Sequence, residues 1–216
     1  MNFLPLTSIL LATLIINNAI RRSNRNEREK KRLYLEREKK ASLTPSKNLD
    51  KIRWISVPSD LPLDIATEDD HCKRIQKTIK NLSTKKITNL GEFTNTDLKL
   101  EYGAANLEEL SEADANCIVL LRSLTELANI YIEKKYIKEA VELLEFAVES
   151  GSDDPSNFEI LANHYLENDD IDSVISLKKH ADELDTYRGE QISANLNRRI
   201  LLMEAVIDEQ TNEGNT

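Results

Sequence analysis

Residues 121–154 read LRSLTELANIYIEKKYIKEAVELLEFAVESGSDD, and residues 155–188 read PSNFEILANHYLENDDIDSVISLKKHADELDTYR. Laid over each other at an offset of 34, Leu124 falls on Phe158, Leu127 on Leu161, Ala128 on Ala162 and Tyr131 on Tyr165. The register continues through Ile137 and Ile171, Ala140 and Val174, then Ala147 and Ala181. Self-similarity at a fixed period of this size marks an architecture of stacked units. Within each copy the apolar spacing predicts two antiparallel helices. Small residues at 128, 140, 147, 162 and 181 let them approach closely, and Tyr131 and Tyr165 fill the space above. Each hairpin then buries its remaining face on the next. Asp154 is placed to cap a helix that has Pro155 at its first position, and Asp169-Asp170 opens another over 171–184.

The pattern of large residue, Leu, small residue and Tyr on a first helix, then small, large, small on a second, resembles the tetratricopeptide repeat (TPR). Residues 121–154 suit it throughout. In 155–188 the second helix departs, with Val174 and Lys178 where a small and a large residue are usual. The resemblance covers 68 residues, about a third of the chain. Two copies are fewer than the three or so that such stacks need, so flanking helices must cover the ends. Downstream, Ile192, Leu196, Ile200, Met203 and Ile207 form an apolar stripe. Upstream, Ile75, Ile79 and Leu82 form another, and residues 98–110 add to that side. Whether a degenerate third copy precedes residue 121 stays open.

Composition agrees with helices. Of 216 residues, 40% are apolar and 31% charged, while Gly and Pro number five each, too few to turn an all-β chain. Two cysteines exclude a disulfide-rich scaffold and a four-cysteine zinc site. Charge is sharply ordered along the chain. Residues 1–20 carry none; residues 21–40 hold ten Lys/Arg against four Glu, a surplus of +6 that leaves −15 on residues 41–216 of the −9 total. An acidic body of this kind repels phosphate backbones, so nucleic acid is not an expected partner.

The uncharged run 3–20 would span roughly 27 Å as a helix, just short of a hydrocarbon core of about 30 Å. No basic residue precedes it, Asn17-Asn18-Ala19 is a poor cleavage site, and it lacks the charged face of an interfacial helix. Residues 1–20 are therefore expected to be a single uncleaved membrane anchor. The Lys and Arg that follow put the N-terminus outside and the body in the cytoplasm. Residues 21–42 read as a basic helical stalk, solvated and supported by pairs such as Glu27–Lys31 and Glu36–Lys40. Arg21, Arg22, Arg25 and Arg28 lie close enough to the anchor to meet anionic lipid. Residues 43–70, interrupted by Pro45, Pro58 and Pro62, read as a linker. Inside it, Lys51-Ile-Arg-Trp-Ile-Ser-Val57 is too apolar to stay free and is expected to dock as an extended arm. An α-helical domain fills 71–210, with Thr96-Asp97 capping a short helix and Ser111 to Asp114 opening a long one. A disordered tail is expected over 211–216. The predicted fold is all-α: one transmembrane helix, a basic stalk and a small TPR-like solenoid of helix hairpins with flanking helices.

Nothing in the chain suggests catalysis. His71, His164 and His180 are scattered, Cys117 lies in an apolar helix, and no phosphate loop, nucleophile elbow or paired metal motif occurs. No enzyme activity, metal or cofactor is expected. The TPR resemblance implies instead a concave face lined by the first helix of each hairpin. Its positions here are Arg122, Thr125, Asn129, Ile132 and Glu133, then Ser156, Glu159, Asn163, Leu166 and Glu167. Only Arg122 among them is basic, which disfavours an acidic or carboxylate-tail ligand and favours a basic or apolar segment of a partner protein. The face is either open or filled by residues 51–57 or the flanking helices. The expected role is a membrane-tethered protein-interaction module, the alternative a structural subunit assembled through anchor and stalk. The arrangement of anchor, stalk and repeats also resembles membrane-anchored repeat proteins of low-GC Gram-positive bacteria, a likeness that carries no activity. Oligomeric state is not legible.

Overall fold

The structure, a computed structural model, describes the backbone of residues 4–91, 93–184 and 186–213, and side chains over 16–91, 93–184 and 186–205. Its elements are helices α1 (Leu4–Ser42), α2 (Asp70–Leu82), α3 (Asn95–Tyr102), a 3-10 turn (Ala104–Asn106), α4 (Leu107–Glu133), α5 (Ile137–Glu149), α6 (Pro155–Glu167), α7 (Ile171–Glu183) and α8 (Tyr187–Glu213). The chain is all-α. Among the described residues the single extended pairing is an isolated antiparallel bridge, Trp54 with Thr88. Contacts divide the chain into two compact units, Met1–Lys51 with Gly91–Ser111, and Ile52–Leu90 with Glu112–Thr216.

In the first unit α1 is exposed over most of its described length, with an i, i+4 pair of Arg32 Nε to Glu36 Oε1 at 3.8 Å. The expected solvated stalk does not stay free to its end. Its last turns dock on α3: Arg37 Nη2 donates to Asp97 Oδ1 at 2.5 Å, Glu38 accepts from Lys99 Nζ and from Thr96 Oγ1, and Ala41 is fully buried. Lys99 and Thr96 hold the Glu38 carboxyl below its ordinary range, and the Thr94 hydroxyl does the same for Asp97. That Asp97 bond belongs to a capping box, so α3 is capped by Thr94 rather than by Thr96-Asp97. Gly103 closes the unit at φ 93, because any Cβ there would run into the Pro45 carbonyl. The long helix α4 starts at Leu107, not at Ser111. The 3-10 turn feeds directly into it, and Glu108 and Glu109 in its first turn complement the helix dipole. Asp114, read as part of a capping box, instead accepts from the Leu90 backbone N–H at 3.0 Å.

The second unit holds the repeated hairpins. One buried cluster contains Leu124, Leu127, Ala128 and Tyr131 with Ala140, Leu144 and Ala147, and continues through Phe158, Leu161, Ala162, Val174 and Ala181. The turns repeat as closely as the core. Lys135 (φ 67) and Asp169 (φ 56), 34 residues apart, both adopt the left-handed conformation. The Tyr136 N–H donates to Tyr131 O at 2.9 Å, as Asp170 N–H does to Tyr165 O at 2.9 Å; Lys135 N–H donates to Ile132 O as Asp169 N–H does to Leu166 O. This is one helix-ending motif written twice. The architecture is thus helical and repeat-like in backbone as well as in sequence. Asp154 caps α6 over Pro155, and Asp170 caps α7 by accepting from Ser173.

Both ends of the stack are covered. At the far end α8 packs on α7 and α6 through Ile192, Leu196 and Ile200; Ile207 of the expected stripe lies outside the described side chains. At the near end lie α2 and the stretch read as a linker. Ile52 and Leu63 are buried, Ile55 N–H donates to Ile87 O at 2.8 Å, and Arg53 Nη2 reaches Glu149 O at 3.2 Å. The Tyr131 hydroxyl donates to Pro62 O at 2.8 Å and accepts from Gln76 Nε2, whose amide also donates to Ile65 O. From Ile52 onward this stretch is therefore part of the folded unit, because its apolar residues need a partner: Leu63 joins the buried cluster, and Ile55, Val57, Leu61 and Ile65 pack against it.

Among the described residues no helix is long and apolar enough to cross a membrane. The anchor expected over 1–20 falls largely outside them, since side chains are described only from residue 16. Of the expected tail 211–216, residues 211–213 continue α8 and the rest lie outside the described residues.

Candidate functional site

The residues proposed for the concave face separate into two groups. Arg122, Asn129 and Glu133 on α4, and Ser156, Glu159, Asn163 and Glu167 on α6, are exposed. Thr125, Ile132 and Leu166 are half-buried, the two apolar ones packed against the core. Helical geometry explains the division. Positions 122, 129 and 133 lie at i, i+7 and i+11 along one stripe, while 125 and 132 rotate toward the neighbouring helix. Beside this stripe a depression of about 420 Å3 is lined by Ile118, Leu121, Arg122, Thr125, Glu126, Asn129 and the loop Ser152 to Asp154. Ile118 on its rim is 63% exposed, a large apolar side chain turned to solvent.

Beneath the depression runs a polar link that sequence reasoning did not find. Asn157 is fully buried, and its Nδ2 donates to Thr125 Oγ1 at 3.0 Å and to Ser152 Oγ at 2.9 Å. Thr125 keeps its own proton for the Leu121 carbonyl, at 3.1 Å. The link ties α4, α6 and the preceding loop together and sets the spacing of the two exposed stripes. An Asn three residues into a helix reads as a solvated position, and its repeat equivalent is Ser123, so no pattern announces it.

A second group missed by sequence reasoning comes from α8. Arg199 Nη1 donates to Asn163 Oδ1 at 2.5 Å, and its Nη2 lies 3.6 Å from Glu159 Oε1. Arg188 Nη1 lies 3.4 Å from Asp153 Oδ2. The face on α6 is thus already engaged by arginine, whereas Asn129 and Glu133 on α4 have no partner among the described residues. Glu126 is held by His71 Nε2 at 2.9 Å.

The remaining polar groups are structural. Burial pushes the Cys117 thiol up to about 12 and raises that of Cys72, so neither is a nucleophile at neutral pH. Burial, then the Glu145 carboxylate that accepts from it, raises Tyr165. Among the described residues no group of three His, Cys, Asp or Glu side chains is placed to hold a metal ion. Arg21, Arg22, Arg25 and Arg28 are exposed on α1. Comparison with family models, with curated proteins and with solved structures finds no match to this chain.

Proposed function

We propose that the chain is a TPR-like interaction module, tethered to a membrane by residues 1–20 with its body in the cytoplasm, that binds a segment of a partner protein along α4 and α6. The observation that carries the reading is the repetition of an exposed amide and carboxylate on adjacent first helices. Asn129 and Glu133 recur 34 residues later as Asn163 and Glu167, all four exposed, with the Asn163 oxygen taken by Arg199 and the other three side chains facing solvent. An amide offers a donor and an acceptor together, which suits the backbone of a bound segment. The apolar rim at Ile118 and Leu121 adds burial. The charge order of the sequence supports the tether, with Arg21, Arg22, Arg25 and Arg28 near anionic lipid. The test is capture from detergent extracts by the full chain. Asn129→Arg, which places bulk and positive charge on the face, should abolish recovery of the partner while the melting temperature stays unchanged. Equal recovery would sink the proposed face.

One observation favours a second reading, a structural subunit assembled through α1. Leu33, Tyr34 and Leu35 are all more than half exposed on that helix, at 54%, 60% and 55%. Loss of assembly on Leu33→Ser with Tyr34→Ser, with capture by Asn129→Arg unaffected, would favour it.

A further inference from the structure

The binding face contains one example of its own chemistry. On α6, Glu159 and Asn163 stand four residues apart, and the Arg199 guanidinium spans them. One of its nitrogens donates to the amide oxygen and another approaches the carboxylate. A planar guanidinium with separated N–H donors suits two acceptors on successive turns of a helix, whereas an ammonium presents one compact charge. On α4, Asn129 and Glu133 also stand four residues apart, with the carboxylate following the amide instead of preceding it, exposed and without a partner among the described residues. Side chains at this spacing lie on one helix face, about 5–6 Å apart at Cβ.

Resting on the interaction reading above, we infer that Asn129 with Glu133 receives an arginine side chain of the partner segment, as Asn163 with Glu159 receives Arg199. Charge favours this occupant. Residues 41–216 carry −15, and three carboxylates, Glu126, Asp153 and Asp154, line the adjoining depression with Arg122, Asp153 paired to Arg188 and Glu126 to His71. The apolar rim at Ile118 and Leu121 accepts the residue beside that arginine. The partner is therefore a segment that combines arginine with aliphatic side chains, and the face prefers arginine over lysine.

The test uses the full chain in detergent micelles and a fluorescein-labelled peptide of alternating leucine and arginine. Matched peptides carry lysine or the neutral isostere citrulline in place of arginine. The arginine peptide should bind most tightly and the citrulline peptide least. Asn129→Ala with Glu133→Gln should weaken the arginine peptide by about threefold to tenfold, the range for a pair that is exposed until a partner covers it. The same variant should erase the preference for arginine over lysine. Glu183→Gln, on the exposed face of α7, should change neither. Absence of binding, equal affinity for the three peptides, or an unaltered preference in the double variant would overturn the inference. A partner recovered through the α4 face by a segment without arginine would overturn it too, yet leave the interaction reading standing.

Discussion

Replacing Asn157 with Ala probes the joint between the two repeated hairpins. The side chain is fully buried and donates two hydrogen bonds, to Thr125 and to Ser152, itself 4% exposed. Each neutral bond contributes about 0.5–1.5 kcal/mol, and the space left behind adds a packing loss. The two hydroxyls that lose their donor still have other bonds: Thr125 donates to Leu121 O, and Ser152 Oγ lies 3.4 Å from the Asp154 N–H. The sum is a destabilisation of roughly 2–4 kcal/mol. Urea unfolding of the full chain in mild detergent measures it through the fluorescence of Trp54, the sole tryptophan, which lies in the same unit against Thr88 and Lys86. The midpoint should fall at unchanged slope. Asn163→Ala, on the exposed side of the same helix, should cost well under half of that. A shift below about 0.5 kcal/mol for Asn157→Ala would mean that α4 and α6 are not joined through this amide.

Other outcomes follow from the same packing. Ala128→Leu inserts volume at a fully buried position of the core and should cost about 1–3 kcal/mol, read from the same urea midpoint. Lys135→Gly and Asp169→Gly each relieve a left-handed residue and should stabilise the unit by about 0.5–1 kcal/mol, seen as parallel rises of the urea midpoint, since the two turns are copies. The Glu38 and Asp97 carboxyls are held below their ordinary values of 4.5 and 3.8, so the docking of α1 on α3 is fully supported above those values. It is lost as pH falls through the lowered ones, and Glu38→Gln should narrow that acid response to the part carried by Asp97. Amide exchange of residues 37–43, compared with exchange of α5 at each pH, reads this release.

The hairpins were legible because burial repeats with the sequence: Leu127 and Leu161, Ala128 and Ala162 are apolar at the same register and all four are fully buried. Caps were legible where a side chain and a proline coincide, as at Asp154 and Pro155. They were misplaced where several polar residues compete, as at Thr94 against Thr96. The start of α4 was missed because a 3-10 turn enters it without a capping side chain. The stretch 43–70 looked like a linker because its prolines dominate local propensity, yet burial of Ile52 and Leu63 is a long-range effect with no local sign. At the proposed face the candidate positions came from the tetratricopeptide-repeat resemblance, and helical geometry separates the seven exposed ones from Thr125, Ile132 and Leu166, which turn half inward. The Arg199 contact was not legible, because it depends on how α8 crosses α6, which no spacing within either helix encodes.

The claim that α4 and α6 form the binding face is tested most directly by photo-cross-linking in intact cells that produce the full chain. A photoreactive residue is placed in the full chain at position 129 or 167, and at 138 or 179 on the second helices as controls. The account predicts that positions 129 and 167 join the same partner segment and that 138 and 179 join none. A partner joined at 138 or 179 but not at 129 would contradict it.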